Sequence, residues 1–185
     1  YPSKFPLEII DAMKERPNIC NYLDMPLQHA SNKMLSAMKR QITREEMEDL
    51  IGEIRSRIPD ICLRTTLIAG YPGETREDVE ELKLFLQKMR FDRVGIFTYS
   101  HEEQTSAFAL EDNISAEEKE ERAQEIMELQ QEISLEKNQE KLALEAVLVC
   151  MTTSQIEPQS HIIPPLTTNH SYHLPRALQS NHFLN

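Results

Sequence analysis

The chain has 185 residues, with 20 Lys+Arg against 31 Asp+Glu and a formal charge of −11. That length suits one ordinary domain, and the acidity argues against a general nucleic-acid binder, which needs clustered cations to neutralise phosphates. No run approaches the roughly 18 apolar residues of a membrane span, and no basic-then-apolar leader follows Tyr1. Cys20, Cys62 and Cys150 are too scattered for a disulfide framework or a metal clip, so the expectation is a soluble chain in a reducing cytoplasm.

Taken in chain order, Pro6 opens a short helical pattern in which Leu7, Ile10 and Met13 share a face, ending before Pro17. Residues 21–28 read as a short strand running into a loop at Pro26. Ser31 is placed to cap the next turns, with Met34, Leu35 and Met38 as their buried edge. Thr43 with Glu46 makes a capping box, and Met47, Leu50, Ile51, Ile54 and Ile58 follow at helical spacing until Pro59. Residues 61–69 form a β-branched apolar run that reads as a buried strand, in which Arg64 is the one costly residue. Gly70-Tyr71-Pro72-Gly73 turns the chain, Thr75 caps a helix carrying Val79, Leu82, Phe85, Leu86 and Met89, and residues 93–99 form another strand.

This order of strand, helix, strand, helix, strand predicts parallel strands with right-handed crossovers, in a βα barrel or an open doubly wound sheet. After residue 100 the alternation stops. Ser115 and Glu118 form a third capping box, opening an acidic helix with Ala123, Ile126, Leu129 and Ile133 along one stripe, and the helical pattern fades near residue 141. Beyond it, residues 146–185 hold Arg176 and Glu157 as their only charged Arg, Lys, Asp or Glu residues, with four of the ten prolines and four of the six histidines. That composition predicts an irregular tail.

In parallel α/β folds, ligands bind where strands end and helices begin. Three such ends are visible. Gln28 and His29 in the first suit ligand hydrogen bonds or an ordinary polar loop. In the second, strand alternation puts Arg64, Thr66 and Ile68 on one face, so Arg64 and Thr66 point together into a barrel interior. A buried Arg there needs an anion, either a ligand carboxylate or Glu74, unless it is simply an Arg paired within the fold. Gly70 and Gly73 allow close backbone approach, though an ordinary strand-to-helix turn explains them equally. In the third, His101 beside Glu102 and Glu103 lacks a second His or Cys at ligand spacing and reads as a solvated loop. The tail histidines His161, His170, His173 and His182 have no metal spacing either, so neither catalytic nor metal-binding residues are assigned.

Together the segments are more specific than any one alone. Tyr22-Leu23-Asp24-Met25-Pro26-Leu27-Gln28-His29-Ala30-Ser31, then Leu35 and Met38 to Arg40, then Arg64-Thr65-Thr66-Leu67-Ile68-Ala69-Gly70-Tyr71-Pro72-Gly73-Glu74-Thr75, then Phe97-Thr98-Tyr99-Ser100-His101-Glu102-Glu103 occur in that order. Over residues 1–142 this resembles the radical S-adenosylmethionine methylthiotransferases. Within them it is most similar to the RimO type, which modifies an aspartate of a small-subunit ribosomal protein. The tRNA-modifying MiaB type instead tends to carry Gln-Ser-Gly-Ser where this chain has Gln28-His29-Ala30-Ser31.

The resemblance implies a partial TIM-like barrel, with its carboxy-terminal half in residues 1–113, a closing acidic helix in 114–142 and an unrelated tail in 143–185. It implies S-adenosylmethionine and [4Fe–4S] clusters as cofactors, an electron donor, and a methylthio group added to an aspartate β-carbon. Gln28, Arg64, Thr66 and Tyr99 are the positions it assigns to S-adenosylmethionine. The family's CxxxCxxC loop and its further N-terminal cysteines are not in this sequence, so the chain reads as a piece that is inactive alone. Gln104 replaces the family's usual glycine, and a frameshifted or chimeric junction near Lys141-Leu142 is the expectation for the tail. The alternatives are the MiaB type and a non-catalytic module that docks on the ribosome.

Overall fold

Alternating helices and parallel strands make up the computed structural model, which describes residues 2–103 and 107–153, the stretch 147–153 by its backbone alone. Its elements are α1 (Glu8–Glu15), β1 (Tyr22–Asp24), α2 (Asn32–Ala37), α3 (Arg44–Arg57), β2 (Cys62–Ala69), α4 (Arg76–Met89), β3 (Arg93–Thr98) and α5 (Ala116–Thr153). The chain divides into the units Tyr1–Val147 and Leu148–Asn185. The described part of the second unit is helical backbone as far as Thr153. Gln104, the side chain of Cys150 and the four tail histidines lie outside the described residues.

Capping chemistry starts the two long helices of the front half. Thr43 and Glu46 exchange both bonds of a capping box at α3, and Thr75 and Asp78 do the same at α4. Each satisfies two N–H groups that the first helical turn leaves free. At α5 the Ser115 hydroxyl accepts from the Glu118 N–H at 3.2 Å, while the Glu118 carboxylate turns to Arg122 at 2.6 Å. Ser31 departs from expectation. It occupies the N-cap of α2, but its hydroxyl donates to Asp78 at 2.6 Å instead of capping.

The strands pair in parallel in the order β1-β2-β3, with Asp24 opposite Arg64 and Arg64 opposite Arg93. Only one face of the sheet is packed. On β2, Leu63, Thr65, Leu67 and Ala69 are buried, while Cys62, Arg64, Thr66 and Ile68 are half-buried. The continuous apolar run led to an expectation of a strand buried throughout; the alternation corrects it. Helices on one face with the other left open is the arrangement of a barrel wall, whereas a doubly wound sheet is covered on both faces. The main core cluster joins Leu63 and Leu67 to Ile10, Met47, Ile51, Ile54, Leu82, Phe85, Leu86 and Phe91, closed by Ile126 and Ile133 of α5, and a smaller cluster gathers Met34, Tyr71 and Ala107.

Two boundaries move. β1 stops at Asp24, because Pro26 has no N–H to continue a ladder, and Gln28 rejoins β2 as an isolated bridge opposite Leu67. α5 continues to Thr153, past the point where the amphipathic pattern fades. Leu142-Ala143-Leu144 are strong helix formers with no buried stripe, and Leu142 and Leu144 are both exposed. Propensity extends that helix where periodicity had ended.

Candidate functional site

The loops after β1 and β2 and the start of α5 meet at the carboxyl end of the sheet. At their centre, Glu74 is fully buried. Its Oε1 accepts from the Gly70 N–H at 3.0 Å and from Arg122 Nη1 at 2.8 Å, and Arg122 Nη1 also reaches the Glu74 carbonyl at 3.0 Å. His29, equally buried, accepts from the Ser31 N–H through Nδ1 at 2.9 Å, which places the ring hydrogen on Nε2. That Nε2 stands 3.3 Å from Glu74 Oε2, off the line of a good hydrogen bond, so neither atom has an aligned partner. Burial pushes the Glu74 carboxyl up, but contacts from His29, Arg122 and the Gly70 N–H outweigh it and hold it below the ordinary carboxylate range.

Asp78 performs the same service one turn later. It takes the Ser31 hydroxyl on Oδ1 at 2.6 Å, and Lys33 Nζ at 2.6 Å and the Thr75 N–H at 2.8 Å on Oδ2. Desolvation opposes these donors and loses, so the carboxyl titrates far below its usual range. The loop after β1 is thereby tied to the N-terminus of α4. Gly70, at φ 75°, completes the framework. A Cβ there would stand 2.2 Å from Lys119 Cγ, so only glycine lets α5 pass this turn.

The open sheet face carries Arg64, Thr66 and Gly95. Arg64 is paired with Asp24 on the neighbouring strand, which raises the guanidinium pKa by hydrogen bond and charge. Of the partners expected for Arg64, Glu74 is not the one, and the Arg is paired within the fold instead. Glu74 lies on the far side of the turn with His29 and Arg122, and the Arg64 side chain is 37% exposed. The missed partner, Asp24, was detectable in principle: it shares the period-2 face of β1 with Tyr22 and carries the opposite charge. Gly95, also missed, makes room for the pair. A Cβ on it would meet Arg64 Nη2 at 3.3 Å and Thr66 Oγ1 at 3.9 Å.

Arg64 and Thr66 therefore do converge, around Gly95. Gln28 joins them through its backbone, donating its N–H to the Thr66 carbonyl at 2.9 Å, at φ 78°. Tyr99 belongs to a different group. Its ring meets Tyr71 edge-on at 5.1 Å, its hydroxyl lies 3.4 Å from His101 Nδ1, and Lys119 Nζ sits 5.1 Å from its ring centre. Burial raises the pKa of both Tyr71 and Tyr99. Glu102 accepts from the Ser100 hydroxyl at 2.6 Å.

Comparison with known proteins then decides the family. Residues 2–86 match the model of the radical SAM superfamily. Over 140 residues, 76% of this chain, the sequence is 56% identical to the ribosomal protein uS12 methylthiotransferase RimO of Pelodictyon phaeoclathratiforme. It is 59% identical over 138 residues to that of Chlorobaculum tepidum, and 55% identical over 142 residues to that of Cytophaga hutchinsonii. The chain belongs to the radical SAM methylthiotransferases. It spans about a third of the length of these curated relatives, 32% in each case.

The radical SAM family implies two groups, S-adenosylmethionine and a [4Fe–4S] cluster. For the first, Arg64 and Thr66 beside Gly95 offer a guanidinium and a hydroxyl, donor chemistry that suits a polar ligand with an anionic end. A [4Fe–4S] cluster is another matter, since it needs several thiolates close together. Among the described residues no group of three or more His, Cys, Asp and Glu is disposed to hold a metal. Cys62 opens β2 and Cys20 precedes β1, at the end of the sheet opposite the loops. The described residues do not fit the cluster.

Proposed function

We propose that this chain forms the S-adenosylmethionine-facing wall of an enzyme that adds a methylthio group to the β-carbon of an aspartate in ribosomal protein uS12. The observation that carries this reading is the 55–59% identity to proteins of that name over about three quarters of the chain. When bound, S-adenosylmethionine supplies the hydrogen-abstracting radical and the transferred methyl group. The protein binds, orients and shields.

In this reading Arg64 takes the ligand carboxylate, exchanging part of its pairing with Asp24, and the Thr66 hydroxyl and Gln28 side chain hydrogen-bond the polar groups beside it. Tyr99 presents an aromatic surface at the adjacent strand end. The cluster's thiolates and the electron donor come from outside the described residues, so the chain alone is inactive. The unpaired Cys20 and Cys62 agree with a reducing cytoplasm.

Titration calorimetry with S-adenosylmethionine tests the wall. Saturable binding is expected, weakened about tenfold by Arg64→Ala and by Gly95→Val, the second by displacing the Arg64 guanidinium. Wild-type affinity in both variants would remove these residues from the site. Anaerobic incubation with iron and sulfide tests the division of labour, since a stoichiometric cluster chromophore on this chain would contradict it.

A further inference from the structure

Among the described residues, the outer edge of β3 pairs with no strand. β1 has only three residues, which makes its outer edge a poor template, but β3 offers six, Arg93–Thr98, roughly 20 Å of strand. α5 runs beside this edge and is fastened at each end of it. At one end Gln130 Nε2 donates to the Phe91 carbonyl at 2.9 Å and the Ser134 hydroxyl to the Asp92 carbonyl at 3.2 Å, with Lys137 and Lys141 paired to the Asp92 carboxylate. At the other, Lys119 Nζ reaches the Tyr99 carbonyl at 3.4 Å. Between these anchors no hydrogen bond joins α5 to the β3 backbone among the described residues. A groove of about 380 Å³ opens there, lined by Ile96, Phe97 and Thr98 on one side and Glu120, Ala123, Gln124 and Met127 on the other. Phe97 is 59% exposed beside it.

The charge of α5 says what fits. Between Ala116 and Ala146 the sequence holds ten Glu against four Lys and Arg. All four cations are paired: Lys119 to Asp112, Arg122 to Glu74, Lys137 and Lys141 to Asp92. Arg76 and Arg90, from outside the helix, neutralise Glu121, Glu125, Glu136 and Glu140. Glu117, Glu120 and Glu128 make no ion pair among the described residues, and helical spacing puts them on the stripe of Gln124 that borders the groove.

We infer that this groove takes an extended, lysine- and arginine-rich segment of the protein substrate, which adds as a strand to β3 while its cations meet Glu117, Glu120 and Glu128. Main-chain bonds to the free edge provide affinity, alternate side chains drop between Ile96, Phe97 and Met127, and the carboxylates select against acidic peptides. This deepens the proposed function and rests on it for one point, that the substrate is a protein.

The test uses the whole chain and three fluorescent ten-residue probes: alternating Lys and Val, the same peptide with alternate amides N-methylated, and alternating Glu and Val. The Lys-Val peptide is expected to bind, and N-methylation or Glu120→Lys with Glu117→Lys to weaken it about tenfold or more. Equal binding of the N-methylated peptide would overturn strand addition, and equal binding by the charge-reversed protein would overturn the acidic contact. A concentration-dependent dimer in sedimentation, abolished by Phe97→Lys, would assign the edge to a second copy instead. S-adenosylmethionine affinity, measured on the same samples, separates failure of this inference from failure of the wall itself.

Discussion

Single residues decide how closely the turn after β2 approaches α5. Gly70 and Gly73 both adopt positive φ, 75° and 82°, but only Gly70 lies against a neighbour. Gly73→Ala therefore costs the backbone strain alone, about 1–2 kcal/mol. Gly70→Ala adds a clash with Lys119 and should cost about 2–4 kcal/mol. Urea denaturation of both variants measures the difference, and equal losses would mean that α5 does not press on this turn.

Three buried carboxylates, two at the carboxyl end of the sheet and one at its other end, set a pH response. Asp78, Glu74 and Asp92 all titrate below their ordinary range, against burial, because donors favour the charged form. A carboxyl depressed in the folded state contributes stability above its unfolded pKa and loses it as pH falls through the folded one. Stability should hold near neutrality and decline as pH drops below the ordinary carboxylate range. Asp78→Asn should lower it at neutral pH and flatten the acid limb of the midpoint-against-pH curve, whereas an unchanged slope would show that Asp78 gains nothing from Lys33 and Ser31.

At the scale of elements, capping and amphipathic spacing account for α3 and α4. Thr43→Ala removes one half of its box and should cost about 1 kcal/mol. Thr75→Ala should cost more, because the Thr75 hydroxyl also donates to Asp78 at 3.0 Å and so feeds the network that holds Ser31 and Lys33. Thermal melts of the two variants read this directly, and an equal shift would argue that the Asp78 network adds nothing. These helices were legible because their periods and caps are local. β2 was placed correctly along the chain but given the wrong surroundings, since an apolar β-branched run looks alike whether one face is covered or both. The tip of α5 escaped periodicity for the opposite reason: Leu142 and Leu144 form helix without packing against anything described.

For the molecule as a whole, α5 is the closing element. It brings Ile126 and Ile133 to the core, Arg122 to Glu74, and Lys137 and Lys141 to Asp92. A chain ending before Ala116 would uncover Phe91 and leave Glu74 and Asp92 buried without their cations, each a costly state. That shortened chain should lose its cooperative melt by circular dichroism and bind an apolar dye. A wild-type melting transition would show that the sheet and α1–α4 are self-sufficient.

By itself the sequence determined the order of elements, the three strand ends, the caps of α3 and α4, and the family, because each rests on residues adjacent in the chain or a few positions apart. Arg64 and Thr66 were placed together correctly for that reason. Only the tertiary structure decided their partners. Asp24 reaches Arg64 across a strand pair, Gly95 opens the space between, and Glu74 is claimed by His29 and Arg122 from a loop and a helix distant in sequence. Alternation says which face a side chain takes, but which charge stands opposite depends on strand register and helix docking, and those are set by the packing of the whole core.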